Sequence, residues 1–335
     1  MIVKLKDIAK RAGVSQATVS LALNDSPLVR VETAEHIKEL AKDLGYQPNT
    51  LARGLARRRS GTIGLVVPDI ESAYYAQLIR HIDDATQRAG YKLLLAISND
   101  SLQKERSILG GFLANKVEGV LIAPINKEQD DLTYLEALKM HGTPLVFTSA
   151  YYPGVNAPFV MTDLAEGTYL LVKYLLSSGH RKIAFLCGSK RVSTTYLRLE
   201  GYARAMQEFG LKVDPSAYLE CRAVDYDQGY KAAVDIAARR PDAIITMNDM
   251  MALGVINALL SLNIRVPEDI SVAGYDNNIF SRISFVPITT VAQDLKSLGR
   301  YSVAMLQKIL QGEEIVAGQK LEPKLVIRQS TAIKK

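Results

Sequence analysis

The chain has 335 residues, of which 48% are hydrophobic and 7% aromatic, a composition typical of a globular protein with two or three domains. No stretch approaches the roughly twenty consecutive apolar residues of a membrane span, and the N-terminus MIVKLKDIAK lacks the apolar region of a signal peptide. Cys187 and Cys221 are too few for a disulfide framework or a zinc site, so both are interpreted as core residues. We therefore expect a cytoplasmic protein.

The net charge of +6 is concentrated in the N-terminal part of the chain. Residues 1 to 60 hold eleven basic and six acidic side chains, which leaves a net charge of only +1 for the other 275 residues. A small basic head on a nearly neutral body is the distribution expected when only the head contacts phosphates.

The segment from Leu5 to Asn24, LKDIAKRAGVSQATVSLALN, predicts a helix-turn-helix. Apolar residues recur at helical spacing up to Ala12, Gly13 allows a tight turn, and Ser15 can cap a second helix. An ordinary helical hairpin has the same pattern, so the basic charge of the segment favours the DNA-binding interpretation. The outer face of the second helix, where a recognition helix meets base edges in the major groove, consists of Gln16, Ala17, Ser20 and Leu21.

A third helix is predicted from Val31 to Leu44 and is ended by Gly45. After it, Asn49 can cap the segment TLARGLARR, which is shorter than the roughly 12 residues that a stable isolated helix needs. A short basic helix with a protruding leucine suits a minor-groove wedge, with Leu55 unstacking a base step and Arg57 and its neighbours holding phosphates. The alternative is a flexible basic linker.

Residues 61 to 335 alternate between apolar, β-branched runs and helical patterns. The first series of runs is TIGLVVPD, YKLLLAIS, GVLIAP and PLVFTS, and the second is KIAFLCG, DAIITMND and ISVAGYD. This alternation predicts doubly wound parallel sheets with helices on both faces, and two series predict two similar lobes. Ligands bind beyond the carboxyl ends of strands in such sheets, which predicts a cleft lined by Asp69, Ser149, Asn248, Asp249 and Asp276.

Nearly the whole chain carries motifs of one known family, namely DIAKRAGVSQATVSLALN, YQPNTLARGLA, GTIGLVVPDI, HRKIAFLCG, ITMNDMMALG, VPEDISVAGYDN and TTVAQD. In this order they resemble the lactose-repressor and purine-repressor (LacI/GalR) family of bacterial transcription regulators. The resemblance implies an all-α helix-turn-helix DNA-binding domain at residues 1–46, a hinge helix at 47–60, and a two-lobed, periplasmic-binding-protein-like core at 61–335 that binds an effector and dimerises.

By analogy with the family, the chain crosses between the lobes near Asp163, Gln293 and Glu322. The first lobe would then comprise about 61–162 and 293–321, and the second lobe about 163–292 and 322–330. A final strand is predicted at KLVIRQS, and the residues TAIKK that follow it contain no leucine heptad for a coiled coil. We therefore expect a homodimer rather than a tetramer.

The resemblance also assigns DNA contacts. Gln16, Ala17 and Leu21 match base-reading positions, while Thr18, Ser20 and Asn24 are candidates for phosphate or helix-support contacts. Glutamine can bond adenine and alanine can contact the thymine methyl group, whereas Leu21 departs from the Arg or His of other members and cannot donate to guanine. Leu55 matches the leucine that the family inserts at the centre of a palindromic double-stranded operator.

Effector contacts implied by the resemblance fall on Tyr75, Arg198, Asn248 and Asp276. Because ligand pockets are commonly lined by aromatic residues, we expect one of Tyr74 and Tyr75 to face the ligand. This polar set suits a small polyol or sugar better than a hydrophobe, although an amino-sugar, nucleoside or sugar phosphate stays open. Ser149 departs from the aspartate of many sugar-binding members. Helix capping is an alternative role for Asn248 and Asp276, and packing is one for the tyrosines.

Neither a catalytic triad, a metal-ligand spacing, a P-loop nor a GxGxxG motif is present, so we expect no enzyme activity, no metal and no cofactor. The sequence predicts a DNA-binding transcriptional repressor that is controlled by a small-molecule effector bound between the lobes, and we expect this effector to be a carbohydrate. The alternatives are a sugar-binding protein without DNA function and an α/β enzyme with an accessory basic head.

Overall fold

The computed structural model describes residues 3–46, 60–128 and 131–334, and the chain divides into two units between Ser60 and Gly61. The predicted hinge segment lies outside the described residues apart from Ser60, and so do three of the predicted DNA contacts: Asn49, Leu55 and Arg57.

The N-terminal unit contains three helices, α1 (Leu5–Ala12), α2 (Gln16–Leu23) and α3 (Val31–Asp43). The turn between the first two has the predicted chemistry: Gly13 adopts φ +65°, and the Ser15 hydroxyl accepts a hydrogen bond from Thr18 N at 3.0 Å. The three helices share one small core of fully buried side chains around Ile8, Val19 and Ile37. They therefore form the predicted helix-turn-helix with a supporting third helix.

The strands of the second unit, in chain order, are β1 (Thr62–Val67), β2 (Lys92–Ile97), β3 (Gly119–Ile122), β4 (Leu145–Thr148), β5 (Phe159–Thr162), β6 (Ile183–Cys187), β7 (Tyr218–Glu220), β8 (Ala243–Thr246), β9 (Ser271–Asp276), β10 (Thr289–Ala292), β11 (Gly318–Leu321) and β12 (Lys324–Val326). The α-helices are α4 (Ala73–Arg88), α5 (Leu102–Ala114), α6 (Glu136–Met140), α7 (Leu164–Ser177), α8 (Ser193–Glu208), α9 (Tyr226–Ala237), α10 (Asp249–Ser261), α11 (Ile279–Ile283) and α12 (Leu295–Leu310). The segment between β3 and β4 contains a 3₁₀ turn, Thr133–Leu135, followed by the short α6.

Two six-stranded sheets organise this unit. The first has the order β11-β5-β4-β3-β1-β2 and is parallel throughout, and the second has the order β12-β10-β9-β8-β6-β7. The second sheet is parallel except at its edge, where β12 runs antiparallel to β10. The strands follow the same relative order in both sheets, so the two lobes are topological repeats. The predicted fold class is confirmed, with one antiparallel edge strand in addition.

The chain passes between the sheets three times. It leaves the first sheet after β5, returns after β10 when α12 packs against α4 and β4 of the first lobe, and leaves again between β11 and β12. The Ser302 hydroxyl of α12 donates to Thr148 Oγ1 at 2.8 Å, which fixes this helix under the end of β4. The loops after β3 and β6, at the carboxyl ends of strands in different sheets, are joined by a hydrogen bond from the Ser189 hydroxyl to Glu128 Oε1. A cleft between the lobes is therefore bordered by strand ends of both sheets.

Candidate functional site

The outer face of α2 carries the predicted base-reading residues. Gln16, Ala17 and Leu21 are exposed, whereas Val19 and Ala22 are fully buried against the other two helices. Because residues four apart lie on one face of a helix, Ala17 and Leu21 share that surface with Gln16 beside them. The described part of the head therefore leaves this face open to a ligand such as DNA.

Thr18 and Asn24, two other predicted DNA contacts, form hydrogen bonds with residues of α2 or of its caps. The Thr18 hydroxyl lies 2.9 Å from the Ser15 hydroxyl, and Asn24 Nδ2 donates to Ser20 O at 2.8 Å, while Ser20 is half-buried. These contacts stabilise the two ends of the helix, so Thr18 and Asn24 have a helix-support role in the structure. Sequence reasoning missed Leu28, which is 82% exposed before α3, although an apolar residue in a polar turn is a recognisable signal.

Tyr74, Tyr75 and Ser149 meet at the first lobe's side of the cleft. Tyr74 is buried, and its hydroxyl lies 2.7 Å from the Ser149 hydroxyl at the end of β4. The ring of Tyr75 packs edge-on against that of Tyr74 with 5.1 Å between centroids, and its hydroxyl accepts a hydrogen bond from Asn126 Nδ2 at 3.4 Å. Asn126 follows β3 and was not predicted from the sequence, although ligands bind beyond the carboxyl ends of strands in such sheets.

Arg198 and Asp276 form the second lobe's side. The Arg198 side chain on α8 is buried, its guanidinium lies 4.2 Å from the centroid of the Tyr275 ring, and its NH1 donates to Thr194 O at 3.0 Å. Among the described residues, its buried Nε has no hydrogen-bond partner. Asp276 accepts a hydrogen bond from Gln293 Nε2 at 2.8 Å. Burial raises the pKa of Asp276 to about 6, against the opposing attraction of Arg198.

Both strand-end residues that face the cleft have unusual backbones. Ser149, which directly follows β4, has φ +73°, and Asp276, which ends β9, has φ +100°. The two strands occupy equivalent places in the two sheets. Positive φ at a non-glycine residue costs of order 1–3 kcal/mol and is common where a side chain must be aimed at a ligand. The repeat therefore presents one strained polar residue from each lobe.

The two sides of the cleft act on each other electrostatically. Burial raises the pKa of Tyr74 well above its ordinary value, and the charge of Asp276 raises it further while that of Arg198 lowers it. Five of the six predicted effector residues therefore lie around the cleft, with three neutral hydroxyl groups on the first lobe and two opposite charges on the second. A donor, an acceptor and aromatic faces around one cleft can bind a small polar molecule.

Asn248 has a structural role in this conformation. Its Oδ1 accepts from Met251 N at 2.8 Å, which caps α10, and its Nδ2 donates to Val224 O at 2.9 Å. The strand-end candidate Asp249 is fully buried and accepts hydrogen bonds from Thr290 Oγ1 at 2.5 Å and from Asn278 N at 2.8 Å. Burial raises the pKa of Asp249 well above its ordinary range. Asp249 therefore does not line the cleft, contrary to the expectation from its position after β8.

Within the described ranges, no group of three or more His, Cys, Asp or Glu side chains is arranged to hold a metal ion. In the same ranges, no helix is both long and apolar enough to cross a membrane.

Comparison with known proteins agrees with this geometry. Residues 4–49 match the model of bacterial regulatory proteins of the lacI family, and residues 172–331 match a periplasmic binding protein-like domain. The HTH-type transcriptional repressor PurR of Pasteurella multocida (strain Pm70) is 34% identical over 329 residues, which cover 97% of this chain and 98% of that protein.

Two solved structures extend the likeness to three dimensions. The lac repressor dimer bound to operator and the anti-inducer ONPF has a TM-score of 0.88 at 28% identity, covering 99% of this chain and 100% of that one. A complex of the transcriptional regulator CelR with cellobiose has a TM-score of 0.74 at 29% identity, covering 98% and 99% of the two chains.

A helix-turn-helix head followed by a two-lobed α/β core defines the class of DNA-binding regulators with an effector cleft. This chain belongs to the lacI family of bacterial regulatory proteins, which confirms the resemblance read from its motifs. Like its relatives, it is a transcriptional regulator rather than an enzyme.

Proposed function

We propose that this protein is a homodimeric repressor whose affinity for a palindromic operator is controlled by a small sugar, or a sugar derivative, bound between its lobes. The observation that carries the proposal is the cleft in which Tyr74 and Ser149 of one lobe face Arg198 and Asp276 of the other. The relatives support it, because one is a repressor and one similar structure is a regulator bound to cellobiose. Because operator DNA is chromosomal, we place the protein in the bacterial cytoplasm.

The chemistry of the cleft favours a polyhydroxylated ligand. The buried Nε of Arg198 offers an unused donor, and leaving such a group unpaired costs roughly 1–3 kcal/mol, so an oxygen of the ligand is the expected partner. The Asp276 carboxylate offers an acceptor for a hydroxyl group. One hydroxyl can accept from arginine and donate to aspartate, and the rings of Tyr74 and Tyr75 can cover the apolar face of a sugar.

For DNA, we propose that Gln16 and Ala17 read adenine and thymine and that Leu21 makes an apolar contact in the major groove. Ser20 lies beside them and is a candidate for a phosphate contact. The hinge contacts remain proposals from the sequence: Asn49 as a cap, Leu55 as the minor-groove wedge and Arg57 as a phosphate contact.

A second copy of the chain is the proposed partner of an exposed apolar patch on the second lobe, formed by Ile279, Ile283 and Phe285. Phe285 is 91% exposed, although the neighbouring Val286 and Ile288 are buried, and a contiguous exposed patch of this kind is typical of a subunit interface. A two-fold dimer presents two heads to the two halves of a palindrome. The similar lac repressor structure is a dimer on its operator.

The experiment is selection of bound DNA from a random duplex pool by the purified full-length protein, with no addition and with a panel of mono- and disaccharides. We expect one palindrome to be enriched, and its enrichment to change in the presence of one class of sugar. The variant Arg198→Gln should select the same palindrome without responding to the sugar, because the head is unaltered. Failure to enrich any sequence under all conditions, together with binding that is equal for all duplexes, would contradict the proposal.

A further inference from the structure

The two lobes touch at the rim of the cleft through residues that are not among the predicted effector residues. Glu128 follows β3 in the first lobe, and its Oε2 accepts a hydrogen bond from NH1 of Arg191, which follows β6 in the second lobe, at 3.0 Å. Glu128 Oε1 accepts from the Ser189 hydroxyl at 2.6 Å. The carboxylate thus uses both oxygens across the gap between the lobes, and we call this set of three residues the rim contact.

A second contact joins the lobes nearby. The Ser193 hydroxyl at the start of α8 donates to Tyr151 O at 3.0 Å, and Tyr151 stacks on Phe159 with 4.8 Å between ring centroids. The side chain of Tyr151 packs against the hydrophobic cores of both lobes. The lobes are therefore held at more than one point on the same side of the cleft.

Both halves of the rim contact are presented by anchored backbone. In the first lobe, Ile125 N donates to the Tyr152 hydroxyl at 3.0 Å and Asn126 N donates to Asp100 Oδ1 at 2.9 Å. In the second lobe, Val192 N donates to Ser189 O at 3.1 Å, which closes a turn around Arg191. Because the backbone on each side is already held, little chain entropy is lost when the side chains meet.

The side chains themselves remain accessible, with Arg191 82% and Glu128 43% exposed. A pair that is this exposed contributes little to the stability of either lobe. Its partners lie in different lobes, however, so opening of the cleft must break it and closing must form it. Even a weak interaction at this place therefore changes the ratio of molecules with a closed cleft to molecules with an open one.

We propose that the rim contact of Glu128 with Ser189 and Arg191 is a latch that favours the closed arrangement of the lobes. Its consequence for effector affinity rests on the proposed function, because a closed cleft retains a bound molecule longer. The effect of the latch on lobe closure is independent of the proposed function, because the latch acts even when the cleft is empty.

The test measures the distance between the lobes directly and needs no effector. Spin labels are attached to the full-length chain at Met140→Cys in the first lobe and Lys212→Cys in the second, both of which are exposed, whereas the native Cys187 and Cys221 are buried. Labelled chains are mixed with excess unlabelled chains, and pulsed electron paramagnetic resonance reports the distance distribution within one chain.

We expect Glu128→Arg and Arg191→Glu each to lower the ratio of closed to open molecules up to about fivefold, the scale of an exposed ion pair. The double variant, which restores the pair with its charges exchanged, should recover the original distribution. The matched control is Arg265→Glu, because Arg265 and Asp269 form an ion pair of similar exposure, 70% and 39%, within the second lobe alone. Distances that are unchanged in both single variants, or a double variant no closer to the original than the single ones, would overturn the proposal.

Discussion

Replacement of Glu105 by glutamine should change how the stability of the first lobe depends on pH. Glu105 lies on α5 with no exposed surface, and its carboxylate accepts hydrogen bonds from the hydroxyl groups of Tyr134 and Tyr152, the latter at 3.0 and 3.1 Å. Within the described residues it forms no ion pair. A carboxylate that is buried with neutral donors alone is less well stabilised than in water.

The magnitude follows from its pKa. Burial raises the pKa of Glu105 to about 7 from an ordinary value of 4.5. Between these values the folded state holds a proton that the unfolded state has released, so the free energy of unfolding falls as the pH rises through this window. At 1.36 kcal/mol per pKa unit, the free energy of unfolding falls by about 3 kcal/mol in total, and the fall is complete above pH 7.

Glutamine carries no charge and so does not lose unfolding free energy as the pH rises. It accepts hydrogen bonds on one oxygen only, which costs about 1 kcal/mol. We therefore expect Glu105→Gln to be more stable than the original protein by about 2 kcal/mol at pH 8.5, and less stable by about 1 kcal/mol near pH 5, where Glu105 is protonated.

Urea unfolding followed by circular dichroism from pH 5 to pH 9, at one protein concentration, measures the difference. Glu136→Gln is the matched control, because Glu136 is exposed and paired with Lys139 on the same helix, and its effect should stay within about 0.5 kcal/mol at every pH. A difference between Glu105→Gln and the original protein that is constant with pH would refute the reasoning.

Three other predictions concern the head, the proposed dimer and the packing around helix glycines. Leu55→Ala should weaken operator binding at least tenfold in a gel-shift titration and leave effector binding unchanged, and an unchanged affinity for DNA would exclude the proposed wedge. If the protein is the proposed dimer, Phe285→Asp should convert it to monomers in analytical ultracentrifugation, since the change places a charge in an apolar patch. A dimer that persists in this variant would locate the interface elsewhere. Gly201→Ala should lower the free energy of unfolding by about 1–3 kcal/mol, because a methyl group there overlaps the carbonyl oxygen of Ala165, whereas Gly110→Ala, with open space around it, should raise it by about 0.5–1 kcal/mol.

Local sequence determined the N-terminal head and most helices of the core. The bounds of α1 and α2 follow from residues within a few positions of each other, such as Gly13 at the turn and Ser15 at the cap, so no distant contact is needed to predict them. The long apolar strands were predicted for the same reason, because a strand that is buried on both faces has a continuous apolar run. The order of strands and helices then implied the two-lobed sheet architecture.

Edge strands were harder to predict. The segments of β7, YLE, and β11, GQKL, are short and mixed in polarity, and neither differs from a loop in pattern. They become strands because β6 and β5 offer unpaired edges to them. That edge exists only after the rest of each sheet has formed.

The roles of the site residues were decided by tertiary structure. Asp249 and Asp276 both follow or end a strand, yet Asp249 is enclosed by Thr290 and Asn278 while Asp276 faces Arg198. Helix capping and ligand contact were equally compatible with the sequence at Asn248, and its bonds to Met251 and Val224 identify the cap.

The sequence by itself determined most of the helices, the inner strands and the polar residues that stand at the ends of those strands, because these depend on neighbours within a few positions. Only the tertiary structure decided which of those residues meet. The Tyr74–Ser149 contact joins residues 75 positions apart, and the Glu128–Arg191 contact joins residues 63 positions apart. Pairings over such distances depend on how whole sheets and lobes pack, and no local pattern of residues encodes them.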